Sequence, residues 1–125
     1  MTPGPTILVI DDHEMLARAF ALALEREGYA VHTANSAEHG LRLLRSEHPA
    51  AIILDLKMPF INGAGFLYRL RSSEYSDTPV MVVTGGTVSE ETRTELAELQ
   101  AVVRFKPLGM NELLTAVRGL LSQAA

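Results

Sequence analysis

The sequence predicts a single α/β domain in which a parallel sheet is covered by helices on both faces. Short aliphatic runs alternate along the chain with segments whose apolar residues recur every three or four positions. The runs are apolar at consecutive positions, as in Ile7–Ile10 and Ile52–Leu54, which is typical of strands buried on both faces. Five strand–helix units in strict alternation favour a doubly wound parallel sheet with right-handed crossovers.

Capping and helix-breaking residues indicate the boundaries of these elements. Asp12 is a suitable N-cap for the first helix, which Gly28 ends, and Ser36 caps the second helix. Ser89, Thr87 and Glu90 offer several caps for the fourth helix, and Thr87 and Glu90 have the spacing of a capping box. The predicted strands are 6–10, 29–33, 51–54, 79–83 and 101–105, and the predicted helices are about 13–27, 36–48, 64–71, 89–99 and 109–121.

Residues 1–5 are expected to form a loose N-terminal tail, because two prolines and a glycine resist regular structure. We expect the folded domain to span 6–122 and to leave 123–125 as a C-terminal tail. A chain of 125 residues suits one domain, which buries about two thirds of its unfolded surface at this size.

Composition argues against several classes of protein. The chain has no cysteine, which excludes disulfides and zinc–thiolate sites. With a formal charge of -4, the chain lacks the basic surface expected of a nucleic-acid-binding protein. No apolar run approaches the ~18 residues of a membrane span, and the N-terminus lacks a signal pattern. We therefore expect a cytoplasmic protein without direct contacts to nucleic acid or membrane.

Chemically active side chains stand at the ends of four predicted strands. Asp11 and Asp12 follow the first strand, Asp55 the third, Thr84 the fourth and Lys106 the fifth. Ligands of open α/β sheets bind at this carboxyl edge. Three carboxylates gathered there repel one another unless a cation lies among them, and Mg²⁺ prefers oxygen ligands. A carboxylate can also act as a nucleophile toward phosphorus, while a hydroxyl and an ammonium bind phosphoryl oxygens.

Together these motifs resemble the receiver domain of two-component response regulators. The resemblance extends from Ile7 to Leu121. It rests on four motifs in order: Asp11-Asp12, Asp55-Leu56-Lys57-Met58-Pro59 with Gly63 behind it, Thr84-Gly85 and Lys106-Pro107. It implies the flavodoxin-like (βα)5 fold, a five-stranded parallel sheet with strand order 2-1-3-4-5.

The resemblance implies a magnesium site in the acidic pocket. Asp12 and Asp55 would bind Mg²⁺ through their side chains, and Lys57 would add its backbone carbonyl oxygen. Asp11 would act mainly through water in the outer shell of the ion.

The resemblance also implies a phosphoacceptor. Asp55 would receive a phosphoryl group from the phosphohistidine of a histidine kinase. Lys106 would pair with that group, and Thr84 would turn inward to hydrogen-bond it. The Lys106–Pro107 peptide bond is often cis in the family. The domain would not be an enzyme. It would catalyse only the phosphorylation of its own Asp55 and the later hydrolysis of that phosphoryl group.

One position departs from the family pattern. Receivers usually carry an aromatic residue three positions before the lysine, and it changes rotamer with the threonine on activation; here that residue is Val103. Phe105, directly before the lysine, is expected to point to the opposite face of the strand. Because Gly85 and Gly86 add flexibility to the next loop, we expect motion of this loop and the fourth helix to carry the signal instead.

Each residue alone also has a simpler structural interpretation. Asp12 is consistent with a plain helix cap, Thr84 with a turn hydroxyl and Lys106 with a solvated lysine before a proline. It is their joint presence at strand ends that favours a site. His13 stands beside the acidic pair, where it suggests a metal ligand, but it is more simply interpreted as the exposed start of the first helix.

Three alternative functions remain open. An aspartate-dependent phosphatase would usually place a second aspartate where Lys57 stands. A flavodoxin-like binding module would need a phosphate cradle in the first loop, where the acidic pair would repel an anion. A degenerate receiver would bind partners without phosphorylation, against which the intact acidic set and Lys106 argue.

The expected partners are a histidine kinase or histidine phosphotransferase and a downstream protein effector. The resemblance also permits a homodimer through the fourth helix, the fifth strand and the fifth helix. The chain ends shortly after the last predicted helix. We therefore expect output through protein contacts, either from a stand-alone regulator or from a piece of a larger regulator or hybrid kinase.

Overall fold

The computed structural model describes residues 4–58 and 61–123, together with their side chains except at 57–58 and 61–63. The main sheet has five strands: β1 (Thr6–Ile10), β2 (Ala30–Ala34), β3 (Ala51–Asp55), β4 (Val80–Thr84) and β5 (Ala101–Phe105). The helices are α1 (Glu14–Arg26), α2 (Ala37–Glu47), α3 (Gly63–Arg71), α4 (Glu90–Glu98) and α5 (Met110–Gln123). An antiparallel ribbon of Lys57–Met58 and Ile61–Asn62 forms where a loop was predicted; Pro59 and Phe60 lie outside the described residues.

All neighbouring strands of the main sheet are parallel, and their order is β2-β1-β3-β4-β5. The predicted doubly wound, flavodoxin-like sheet with order 2-1-3-4-5 is therefore confirmed. The chain winds outward from β1 in one direction and from β3 in the other. In such sheets a crevice opens at the carboxyl ends of the strands where the winding reverses. Asp11 and Asp55 stand at this point.

The core consists of two apolar layers, one on each face of the sheet. Leu8 and Ile10 pack in the layer covered by α2, α3 and α4, whereas Ile7 and Val9 pack in the layer covered by α1 and α5. Successive strand residues point to opposite faces. The consecutive apolar residues of β1 are therefore all buried, as the sequence predicted.

The start of α1 differs from the prediction. His13, not Asp12, is the N-cap residue, and its side chain makes no capping hydrogen bond. Instead, the His13 backbone N–H donates to Asp11 Oδ1 at 2.9 Å. The carboxylate of Asp12 is thereby left for the site at the sheet edge.

Of the candidate caps before α4, Ser89 is the one observed, in place of the capping box of Thr87 and Glu90. Ser89 is the N-cap, and its hydroxyl accepts a hydrogen bond from the Thr92 backbone N–H at 3.2 Å. Ser36, by contrast, caps α2 as predicted, since its hydroxyl accepts from the His39 N–H at 3.1 Å. Serine and threonine caps are chemically similar, so sequence spacing alone did not separate the candidates before α4.

The segment predicted as a loose tail is partly ordered. The Gly4 N–H donates to the Gly28 carbonyl at 3.1 Å, and the Ala30 N–H donates to the Pro5 carbonyl at 3.1 Å. These bonds attach residues 4–5 to the beginning of β2. At the other end α5 reaches Gln123. The limits of the domain and of its tails otherwise remain a prediction, since residues 1–3 and 124–125 are outside the described ranges.

Arg71 ties the end of α3 to the end of α4. Its guanidinium donates to the carbonyls of Leu99 at 2.8 Å, Ser76 at 2.8 Å and Thr78 at 2.6 Å. Burial lowers the pKa of Arg71 below its usual value, and the nearby charge of Asp77 partly opposes this shift. The C-terminal end of α4 is therefore anchored by a cation that is partly removed from water.

None of the helices in the described part of the chain combines the length and the apolar character needed to cross a bilayer.

Candidate functional site

The structure brings together the polar residues that the sequence placed at strand ends. Asp11 and Asp12 follow β1, Asp55 ends β3, Thr84 ends β4 and Lys106 follows β5. Asp11 and Asp55 are each 4% exposed, and Thr84 is completely buried. One carboxylate oxygen from each aspartate, together with a ring nitrogen of His13, lies within 4.8 Å of the others. The predicted acidic pocket is thus a physical cluster.

Lys106 places its ammonium between two of these carboxylates. Its Nζ is 3.6 Å from Asp11 Oδ2 and 3.6 Å from Asp55 Oδ1. Its backbone N–H donates to the Thr84 carbonyl at 2.8 Å, which fixes the start of the β5–α5 connection against β4. The Lys106–Pro107 bond is cis. A positive charge between buried carboxylates reduces their mutual repulsion.

The two adjacent aspartates have different surroundings. Asp11 Oδ1 accepts the His13 N–H, and Asp11 Oδ2 faces Lys106. Asp12 Oδ1 is buried and accepts no hydrogen bond from the described residues. Such an oxygen is costly to bury unless another group satisfies it.

These carboxylates fit a hard divalent cation, because the donor set is mainly oxygen and includes an unsatisfied buried oxygen. Asp12 supplies that oxygen, and Asp55 stands beside it. Lys57, the third predicted ligand, begins the ribbon two residues after Asp55. Its role as a carbonyl ligand stays a prediction.

Thr84 ends β4 beside the pocket with its hydroxyl already paired. Its Oγ1 donates to the Gly85 carbonyl at 3.3 Å. In the sheet register Thr84 lies opposite Phe105 on β5. A rotation about the Thr84 side chain would therefore break a long hydrogen bond to the next residue and leave the ladder between β4 and β5 unchanged.

His13 approaches both members of the acidic pair, a contact for which the sequence interpretation had preferred a plain helix start. Its Nδ1 is 3.6 Å from Asp11 Oδ1 and 3.5 Å from Asp12 Oδ1. The expected exposed helix start is confirmed, since His13 is the N-cap and its side chain is 72% exposed. Its adjacency to the acidic pair was the signal for the contact.

The prediction that Phe105 points to the opposite face of the strand from the position of the missing aromatic is wrong. Val103 packs against the apolar layer that contains Leu96 of α4. Phe105 also faces α4, where the Arg93 guanidinium carbon lies 5.4 Å from the centroid of its ring. Residues two apart on a strand share a face. β5 therefore does present an aromatic ring to α4, but from Phe105, two residues closer to Lys106 than Val103.

Comparison with known sequences decides the family. The model of the response regulator receiver domain matches residues 7–118. This chain belongs to that family. The receiver resembles the probable transcriptional regulator ycf27 of Porphyra purpurea, with 34% identity over 120 residues that cover 94% of this chain and 48% of that protein. It also resembles the probable transcriptional regulatory protein TcrX of Mycobacterium tuberculosis, with 30% identity over 116 residues that cover 93% of this chain and 49% of that protein. The chain spans about half the length of these relatives.

Solved structures of receivers share the fold. A CheY-like receiver domain protein from Methanospirillum hungatei superimposes with a TM-score of 0.88 at 26% identity, covering 95% of this receiver and 94% of that chain. The chemotaxis protein CheY4 of Vibrio cholerae gives a TM-score of 0.86 at 26% identity, covering 94% and 98%. Both agree with the five-stranded architecture.

Proposed function

We propose that this receiver is a phosphoacceptor signalling domain in which Asp55 takes a phosphoryl group from a phosphohistidine. The observation that carries the proposal is the position of Lys106, whose Nζ is 3.6 Å from Asp55 Oδ1 and equally far from Asp11 Oδ2. Phosphoryl transfer depends mainly on positioning and charge neutralisation. A buried carboxylate flanked by further carboxylates and one ammonium supplies both when a divalent cation is present.

Asp12, Asp55 and the backbone carbonyl of Lys57 would hold Mg²⁺. The unsatisfied Oδ1 of Asp12 supports a direct ligand role for this residue. Asp11 already uses one oxygen for the His13 N–H and faces Lys106 with the other, which supports an outer role through water. When bound, Mg²⁺ offsets the negative charge of the carboxylates and of the phosphoryl oxygens.

The transfer step is a displacement at phosphorus. A carboxylate oxygen of Asp55 forms the new O–P bond while the N–P bond of the donor breaks, and the electron pair of that bond returns to the donor imidazole. Lys106 pairs with the added negative charge. Thr84 exchanges its hydrogen bond to Gly85 for one to a phosphoryl oxygen. Attack of water on phosphorus later breaks this O–P bond, releases inorganic phosphate and restores the free carboxylate of Asp55.

We propose that the loop after Thr84 and α4 carry the signal. Leu96 is the buried residue of α4, a helix that the structure describes in full. A helix with so small a buried face is more easily displaced than its neighbours. Gly86 has a φ of +79°, a backbone conformation that glycine adopts without strain. Identical amide spectra across 84–105 with and without the phosphoryl group would show that this part of the proposal is wrong.

The proposed partners are a histidine kinase or a histidine phosphotransferase and a protein effector. Met15 is 88% exposed and lines an open groove with Lys106, which suits a protein donor that must reach the site. Phe105 and Met110 are each 41% exposed. They support a docking surface on α4, β5 and α5 for an effector or a second copy. The relatives are named as transcriptional regulators. We propose that this domain passes its signal on through protein contacts in the cytoplasm. It would bind neither nucleic acid nor membrane directly.

The decisive experiment is labelling with acetyl phosphate, followed by mass spectrometry of the intact chain. We expect a Mg²⁺-dependent mass increase of one phosphoryl group that is lost in Asp55→Asn and kept in Asp77→Asn, an exposed aspartate remote from the site. Absence of labelling with every donor would overturn the proposal. If Mg²⁺ still bound in that case, the degenerate receiver would be the better interpretation.

A further inference from the structure

We propose that His13 adds an imidazole nitrogen to the metal site and shifts its preference toward later first-row transition-metal dications such as Co²⁺. The inference rests on the proposed function, since it concerns the same acidic pocket. It adds a ligand and a selectivity that the acidic residues do not have by themselves.

The separations between His13 and the acidic pair suit ligands of one ion. His13 Nδ1 is 3.5 Å from Asp12 Oδ1 and 3.6 Å from Asp11 Oδ1. These gaps are too long for good hydrogen bonds. Adjacent ligand atoms of an octahedral ion with bonds of about 2.1 Å lie about 3 Å apart, and opposite ones about 4.2 Å apart. A shift of a few tenths of an ångström, on the order of the difference between 3.5 Å and 3 Å, would bring the nitrogen to a ligand position.

Among Asp11, Asp12 and His13, the hydrogen-bond partners favour Asp12 and His13 as ligands that act beside Asp55. Asp12 Oδ1 accepts no hydrogen bond from the described residues, and the His13 side chain makes no capping bond. Both oxygens of Asp11 are engaged, by the His13 N–H and by Lys106. The His13 ring is 72% exposed, so it can turn toward an ion without disturbing the core.

The chemical consequence is a change in selectivity rather than in the existence of the site. Carboxylates, carbonyls and water suit Mg²⁺ and Mn²⁺, whereas an imidazole nitrogen raises affinity for the later divalent metals of the first row. With His13, the site should therefore favour Co²⁺ over Mg²⁺ more strongly than an all-oxygen site with the same carboxylates.

The test compares the wild type with His13→Asn. Asparagine is a favourable N-cap, so this substitution removes the imidazole and keeps the start of α1. His32→Asn is the matched control, because His32 Nε2 lies 3.0 Å from Glu47 Oε1 in a histidine–carboxylate pair elsewhere on the surface. The probes are Mn²⁺, for pulsed electron paramagnetic resonance, and Co²⁺ and Mg²⁺, for titration.

We expect nitrogen hyperfine coupling to Mn²⁺ in the wild type and in His32→Asn, and its loss in His13→Asn. The dissociation constant for Co²⁺ should rise about tenfold or more in His13→Asn, while that for Mg²⁺ changes much less. Wild-type Mn²⁺ without nitrogen coupling, or an unchanged Co²⁺-to-Mg²⁺ preference in His13→Asn, would overturn the inference.

Failure of the inference is distinguishable from failure of the proposed function. Mg²⁺-dependent labelling of Asp55 without nitrogen coupling would reject the role of His13 alone. Nitrogen coupling without labelling by any donor would reject the phosphoacceptor and leave His13 as a ligand.

Discussion

Gly40 of α2 packs against Ile10, the last residue of β1. Ile10 directly precedes the acidic pair Asp11-Asp12. A Cβ atom at this position would stand 2.6 Å from Ile10 Cδ1, 3.1 Å from Ile10 Cγ1 and 3.5 Å from Phe66 Cε2. Ile10 is completely buried and Phe66 is 1% exposed. The Gly40→Ala substitution therefore forces the isoleucine or the helix to move within a packed core.

The expected size of the effect follows from two opposing contributions. Alanine is about 1 kcal/mol better than glycine within a helix, whereas overpacking a core costs about 1–3 kcal/mol. The 2.6 Å approach to a fully buried side chain makes the second contribution the larger. We expect Gly40→Ala to lower the free energy of unfolding by up to about 2 kcal/mol.

Gly119 in α5 supplies the control, because a Cβ there would meet nothing within 4 Å. Gly119→Ala should raise the free energy of unfolding by about 0.5–1 kcal/mol. The two alanine variants are compared by urea unfolding of the metal-free chain. A Gly40→Ala variant as stabilised as Gly119→Ala would show that the close approach carries no cost.

A double-mutant cycle with Ile10→Val locates the cost. This change deletes the Cδ1 atom that the new methyl group meets, and it should cost about 0.5–1.5 kcal/mol in the wild type. In the Gly40→Ala background the cost should shrink or reverse. Additivity within about 0.5 kcal/mol would refute the reasoning.

Three further predictions concern the site and α4. Lys106→Met should raise the affinity for Mg²⁺ in a titration, because it removes the cation that competes for the carboxylates. The same variant should be labelled less by acetyl phosphate. A fall in Mg²⁺ affinity would contradict the role of Lys106 as a competing cation. Arg71→Met should lower the free energy of unfolding by about 1–2 kcal/mol, since three partly buried carbonyls lose a charged donor. Arg69→Met, on the exposed side of α3, should change it little in the same urea titration. Arg93→Ala and Phe105→Ala should couple by about 0.5–1 kcal/mol in an unfolding cycle, and zero coupling would show that the ring contact does not hold α4.

Local pattern was sufficient for the elements and for the membership of the acidic pocket. The aliphatic runs Ile7–Ile10, Ala51–Leu54 and Val80–Val83 are apolar at every position because both faces of these strands are buried. Parallel strands then end at one edge, so Asp11, Asp55 and Lys106 had to approach one another once the sheet was assumed. None of this required knowledge of how any two helices pack.

The sequence by itself therefore determined the fold class, the strand order through family resemblance, and the three aspartates that gather at the carboxyl edge of the sheet. Only the tertiary structure decided which atoms of those residues are engaged. His13 rather than Asp12 is the N-cap of α1, and Lys106, from the far end of the chain, meets Asp11. The contacts of Arg71 with Leu99 and of Arg93 with Phe105 likewise join separate elements. Local propensity reports the preference of a segment for its own backbone, whereas these contacts depend on where distant segments come to lie.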